Sequence, residues 1–326
     1  MKPILVATIS LLVTTVYAQH TFSIVAVDSV TGEIGSAGAT CGDSIIWPST
    51  KGAIVISDIV PGLGAIHTQA LWASQNQSNA HSRLLDSISP DSIIKWLVAN
   101  DYQNYPKNRQ YGIVTYNDGH PLSAAFTGSE CLDHKNHITG PYYSIQGNIL
   151  LGEYILDSME ARFLRAKGPL ADRLMAAMQG ANVVGADSRC TAEGTSSLSA
   201  FIRVARPNDA ADKLYLDKNV AGTAKGVEPI DELQKKFDKW ASMATGRVAR
   251  PVIAVYPNPV ENNITIELPF EYQGALSVYN SQGAMVYYSD GNDKILEIAT
   301  IDWLPGVYTL RAVGSEAVAL QHFVKL

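Results

Sequence analysis

Up to Gly246 the sequence alternates β-hairpins with pairs of amphipathic helices, and beyond it only strand-like runs remain, two patterns that do not share one layer scheme. Thr21–Asp28 and Ile34–Ala39 are apolar runs joined by the turn residues Ser29-Val30-Thr31-Gly32-Glu33. Gln110–Tyr116 and Leu122–Thr127 flank Asn117-Asp118-Gly119, and an Asp-Gly pair between apolar runs is a strong hairpin signal. Ala53–Ser57 and Gly64–Ala70 read as further strands, with glycines at 35, 38, 62 and 64 marking close approaches. Between the hairpins, Ser89 caps a helix with Pro90 at its first position and Ile93, Ile94 and Leu97 on one face. Ile155, Met159 and Phe163 share a second helical face, and Leu170, Leu174 and Met178 a third. Ser196–Ala205 reads as a strand and Pro229–Met243 as a helix. The expectation is an α+β layered sandwich whose sheets carry helices on their outer faces.

From Val255 the runs Ile264–Leu268, Ala275–Tyr279, Ala284–Ser289, Ile295–Ile298, Gly306–Val313 and Ala317–Lys325 are separated by Asn, Gly and Pro turns. That spacing predicts a small all-β sandwich. A chain of 326 residues has room for two such cores. Its 46% hydrophobic content excludes intrinsic disorder, and a net charge of −6 excludes the basic footprint of a phosphate-backbone binder, so no nucleic-acid partner is expected.

Lys2, the apolar stretch Ile4–Val16 and Val16-Tyr17-Ala18 have the order of a secretory signal peptide with cleavage after Ala18. No later stretch is long and apolar enough to span a bilayer, so no membrane span is expected in the mature chain. The organisation read from sequence is therefore residues 1–18 signal peptide, 19–246 layered domain, 247–254 linker and 255–326 β-sandwich.

Three cysteines, Cys41, Cys131 and Cys190, stand in an exported chain where disulfides persist, and three pairs are open to them. The polar loop sequence around Cys131 and Cys190 favours that pair. No cysteine lies in a C-x-x-C pair and no histidine cluster has ligand spacing, so neither a metal nor a cofactor is expected.

Val255-Tyr256-Pro257-Asn258-Pro259, Val278-Tyr279-Asn280-Ser281-Gln282-Gly283, Leu304-Pro305-Gly306-Val307-Tyr308-Thr309-Leu310 and Phe323-Val324-Lys325-Leu326 follow one another in the last module. Together they resemble the type A C-terminal sorting domain of the type IX secretion system of Bacteroidetes. The resemblance implies passage through the periplasm, handling of residues 255–326 by the type IX machinery, and a secreted or surface-attached product.

The first domain carries Thr21-Phe22-Ser23-Ile24-Val25-Ala26-Val27-Asp28, Gly62-Leu63-Gly64-Ala65-Ile66-His67-Thr68-Gln69-Ala70, Tyr143-Ser144-Ile145-Gln146-Gly147-Asn148-Ile149-Leu150 and Gly185-Ala186-Asp187-Ser188-Arg189. With Arg109–Val114, Gly168–Leu174 and Pro229–Leu233, these resemble the domain-of-unknown-function 1028 family, placed among Ntn-hydrolase-like proteins. The resemblance implies a four-layer αββα sandwich and hydrolysis of C–N amide bonds in a small amide or peptide. Such enzymes attack with an N-terminal Thr, Ser or Cys whose own α-amine, with a pKa of about 7.7–8.0, is the base. Thr21 is the residue onto which the role falls, and signal cleavage leaves Gln19-His20 ahead of it.

Other candidates carry two readings each. His67 polarises a substrate or acts as base, or is a hydrogen-bonded strand residue. Gln146 and Asn148, flanking Gly147, donate to an oxyanion or form turns. Asp187 and Arg189 orient a carboxylate-bearing substrate or pair with one another. The whole chain is accordingly read as a secreted hydrolase or as a noncatalytic surface ligand-binding protein on the same fold.

Overall fold

The structure, a computed structural model, describes residues 21–44, 51–117, 119–245, 254–268, 275–290, 295–313 and 318–326. The expected signal peptide, and all but the last residue of the expected linker, lie outside these. The chain divides into two compact units between Phe237 and Asp238.

In the first unit, β1 (Thr21–Val27) and β2 (Ile34–Thr40) form the expected hairpin. Asp28 shapes its turn, because its carboxylate accepts the backbone N–H groups of Val30 and Thr31. The run expected as a strand at Ala53–Ser57 is instead a 3-10 turn over Gly52–Ile56, whose buried Ala53 and Ile56 pack on Phe201. Its apolar residues fill a gap rather than join a ladder. Then follow β3 (Ser57–Val60), β4 (Gly64–Ala70), α1 (Ser74–Leu85), α2 (Pro90–Ala99), β5 (Arg109–Asn117), β6 (His120–Thr127), β7 (Asn136–Gly140) and β8 (Tyr143–Gly147). The unit continues with α3 (Tyr154–Arg165), α4 (Leu170–Gly180), β9 (Ser199–Ala205) and β10 (Leu216–Val220), and α5 (Pro229–Thr245) starts at its end.

The strands make two antiparallel sheets, β10-β9-β2-β1-β8-β7 and β3-β4-β5-β6. α1 and α2 cover the smaller sheet, where Ala80, Leu84, Ile93, Ile94 and Leu97 pack on Ile66, Tyr111 and Ile113. α4 lies on β1, β2 and β9, and α3 on β7 and β8. The approach is close at Gly35, where a Cβ would stand 2.3 Å from a methyl of Leu174. The other faces of the two sheets meet, which makes the four-layer αββα sandwich.

That inner layer changes character along the strands. With side chains alternating across a strand, Thr21, Ser23, Val25 and Val27 share one face of β1. Val25 and Val27 join Ile34, Ile59, Ala65, Val114 and Ala205 in an apolar cluster between the sheets. Ser23 instead meets polar side chains of the facing sheet.

Beyond the end of α5, the described elements of the second unit are all β-strands. β11 (Ala254–Tyr256), β12 (Asn263–Glu267), β13 (Leu276–Tyr279), β14 (Met285–Ser289), β15 (Ile295–Ala299), β16 (Gly306–Val313) and β17 (Val318–Lys325) form the sheets β11-β12-β15 and β14-β13-β16-β17. Ile264, Ile266, Leu276, Val278, Leu310 and Phe323 make its core. Its opening and closing segments are bonded together: Val260 donates to the Val324 carbonyl at 2.8 Å, Leu326 to the Val260 carbonyl at 3.0 Å, and Val324 to the Asn258 side chain at 2.9 Å.

Candidate functional site

Thr21 opens β1 opposite Thr40 of β2, and β8 ends beside it with Phe22 opposite Gly147. Its carbonyl oxygen accepts two bonds, from the Asn148 backbone N–H at 3.2 Å and from Gln69 Nε2 at 3.1 Å. Gln69 comes from β4 on the opposite sheet and is itself fully engaged. Its Nε2 also donates to Gln110 Oε1 at 2.7 Å, and its Oε1 accepts from Ser23 Oγ at 2.6 Å. Gln110 Oε1 further accepts from Asn148 Nδ2 at 2.9 Å, and Gln110 Nε2 donates to the Gly147 carbonyl at 2.8 Å. Thr21, Ser23, Gln69, Gln110 and Asn148 are all buried.

The same network reaches His67 along the inter-sheet layer. Gln146 Nε2 donates to Ser23 Oγ at 2.6 Å and to His67 Nδ1 at 3.2 Å, while Ser144 donates to Gln146 Oε1 at 2.7 Å. An amide nitrogen only donates, so His67 Nδ1 is the acceptor and Nε2 carries the proton, given to Ser36 Oγ at 2.5 Å. Ser36 meets Ser57 at 2.7 Å, and Arg203 closes the series on the Ser57 hydroxyl at 3.3 Å. Burial, reinforced by the positive charge of Arg203, holds the His67 pKa down to about 3. The imidazole is neutral, fixed in one tautomer and occupied at both nitrogens. Its path to Thr21 runs through Gln146, Ser23 and Gln69.

The Thr40 side of Thr21 is bounded by a charged clip. Asp187 Oδ1 and Oδ2 accept from Arg189 Nε at 2.9 Å and Nη2 at 2.6 Å, Asp187 Oδ2 also accepts the Cys41 N–H at 2.8 Å, and Arg189 Nη2 reaches Thr40 Oγ1 at 3.3 Å. The Asp187 side chain is 1% exposed and that of Arg189 30%. The two side chains pair with one another.

The disulfide joins Cys41 to Cys190, not Cys131 to Cys190. β9 lies against β2, with Thr40 opposite Ser199, and the Cys41 N–H bond to Asp187 seats the turn Ser188–Glu193 at the end of β2. Cys131 is a buried thiol that donates to the Arg109 carbonyl, and burial pushes its pKa up to about 11, the opposite of nucleophile activation.

Thr21, Asn148, Asp187 and Arg189 thus gather at one end of the larger sheet, and His67 with Gln146 sits deeper in the layer. Sequence reading did not single out Ser23, Gln69 or Gln110. Among the described residues no group of three or more His, Cys, Asp and Glu could hold a metal ion, and no helix is long and apolar enough to cross a membrane.

Residues 21–233 match the model of a family of unknown function, DUF1028, and the chain belongs to that family. Residues 254–325 match the model of the secretion system C-terminal sorting domain. The chain is therefore a substrate of type IX export, bound for the cell surface or the space beyond it. The crystal structure of a DUF1028 protein from Silicibacter pomeroyi is 24% identical, covering 72% of this chain and 95% of that one with a TM-score of 0.54, a likeness of fold. PorZ, an essential surface component of the type-IX secretion system of Porphyromonas gingivalis, is 17% identical over 23% of this chain and 11% of its own, with a TM-score of 0.20. Domains 3 and 4 of rat CD4 are 10% identical over 68% of this chain and 80% of theirs, with a TM-score of 0.21. Among curated proteins none matches.

Proposed function

We propose that residues 19–246 form an Ntn-type hydrolase of C–N amide bonds, delivered outside the cell by the module at 255–326. The observation that carries the reading is the place of Thr21, first residue of a central strand and clamped at its carbonyl within a polar inter-sheet layer. Among the described residues no side chain in this layer is an available base: His67 is neutral and occupied, and Asp187 is neutralised by Arg189. The base for Thr21 is therefore its own α-amine. It takes the hydroxyl proton as Oγ1 attacks the amide carbon, the proton leaves with the departing amine, and water then hydrolyses the threonyl ester. An acylated nitrogen has no basic lone pair, so the His20–Thr21 bond must first be cleaved.

In this scheme Gln146 and Asn148 hold the surroundings of Thr21, while Arg189, the more exposed member of its pair, faces the substrate. N-terminal sequencing of the mature secreted chain is the decisive measurement. A chain beginning at Thr21 supports hydrolysis, with Thr21→Ala removing about 10³-fold or more of the turnover and Thr21→Ser keeping part of it. A stable Gln19 or pyroglutamate terminus supports the second reading, a ligand-binding protein without catalysis, which the complete engagement of His67 favours.

A further inference from the structure

We propose that Gln69 is a positioning residue that fixes the orientation of Thr21 through its carbonyl oxygen; the role in catalysis rests on the hydrolase reading above, the positioning itself does not. A residue at a chain end frays unless it is tied down, and in a chain beginning at Thr21 nothing upstream would hold it. Among the contacts that then hold it are the pairing with Thr40 and the two donors on the Thr21 carbonyl, one of them Gln69 Nε2. Those donors fix rotation about the Cα–C bond of Thr21, and the β-branched side chain restricts χ1. Amine and hydroxyl then leave the strand in one direction.

The Gln69 amide has a single workable orientation. Both of its hydrogens are engaged, by Thr21 O and Gln110 Oε1, and turning the amide over would set its oxygen against these two acceptors. A second, independent observation lies in the backbone. Ala70, directly after Gln69, has φ 64°, and Ile149, directly after Asn148, has φ 57°. Left-handed conformations are unfavourable for non-glycine residues, most of all β-branched ones, and persist where the surroundings over-determine them. Both arms of the clamp are strained at the same point, immediately after the donor. Both are braced: Ala70 pairs with Arg109 in the ladder, while Ile149 donates to the Leu132 carbonyl at 3.0 Å and accepts from Ser188 N–H at 2.9 Å.

The test uses the chain from Thr21 to Leu326, made with an initiator Met whose removal is verified by mass. Periodate cleaves a vicinal amine and hydroxyl, so its rate at an N-terminal threonine reports exposure and mutual orientation of those two groups, with no need for an amide substrate. Gln69→Met keeps the length of the side chain and deletes both donors. Ser23→Ala is the control, since it disturbs the same network and leaves both donors on Thr21. We expect Gln69→Met to change the periodate rate about tenfold or more, and Ser23→Ala to stay within about twofold of the parent even where its thermal stability falls equally. A Gln69→Met rate equal to the parent, or a Ser23→Ala rate that shifts as much, overturns the proposal. If Gln69→Met does not fold, Gln69→Asn, which draws the same amide one methylene back, is held to the same comparison. A parent that turns over no amide while the periodate result holds removes the hydrolase reading and leaves the clamp.

Discussion

The two halves of the inter-sheet layer are built on the same strands and held by opposite means. At one end Val25, Val27, Ile34, Ala65 and Val114 exclude water by shape alone. At the other Ser23, Ser36, His67, Gln69, Gln110 and Gln146 are equally buried, yet each donor meets a named acceptor. Apolar burial is non-directional and forgives small changes, whereas a buried polar group that loses its partner costs about 1–3 kcal/mol. The apolar half therefore specifies that the sheets pack, and the polar half specifies how they are registered around Thr21.

Four measurements break or sharpen this contrast. The largest effect is expected from Cys41→Ser with Cys190→Ser, because the bridge closes a separation of 149 residues and ties down the polar end. A loss of about 2–5 kcal/mol in chemical denaturation is expected, and a loss below about 1 would mean that the turn at Asp187–Glu193 holds without it. Next is Gln110→Leu, similar in size and without polar atoms. It strands the Gln69 and Asn148 amides and the Gly147 carbonyl, with an expected cost of about 3 kcal/mol by thermal unfolding.

The third is the acid limb of stability. The His67 pKa is lowered by folding, so the unfolded chain binds the extra proton, and stability falls as pH drops below the unfolded value of about 6.5 toward 3. Between pH 6.5 and 5 that amounts to about 2 kcal/mol. A His67→Gln variant is expected to lose this slope, and an unchanged acid limb would show that the imidazole is not held neutral. The smallest effect belongs to the apolar half: Ile34→Val is expected to cost about 1 kcal/mol with no change in the pH profile.

Much of the fold is legible in the sequence because its signals are local. The β1–β2 turn, Pro90 at the start of α2, the faces Ile155-Met159-Phe163 and Leu170-Leu174-Met178, and the hairpin through Asn117 and Gly119 all come from residues close in sequence. β7, β8 and β10 were not legible; β7 and β8 are five-residue runs holding Asn136, His137, Gln146 and Gly147. Their polar residues are explained by the layer they face. The disulfide failed for a related reason, since Cys41 and Cys190 meet through the adjacency of β2 and β9, which no loop composition encodes. Thr21 is reached through the family resemblance, as the residue that starts the first strand. Gln69 and Gln110 are not, because their meaning depends on a bond across two sheets to Thr21 O and Asn148.

In the sorting module, the bonds between Asn258–Val260 and Val324–Leu326 clasp its opening segment to its closing one. Such a clasp joins segments 66 residues apart in sequence, so it forms only when both are present. Without Val324 and Leu326 the N–H and carbonyl groups of Val260 lose these partners. Closure of the module thus reports that residues 324–326 are present, and a chain cut after Phe323 lacks the latch while keeping nearly all of the core.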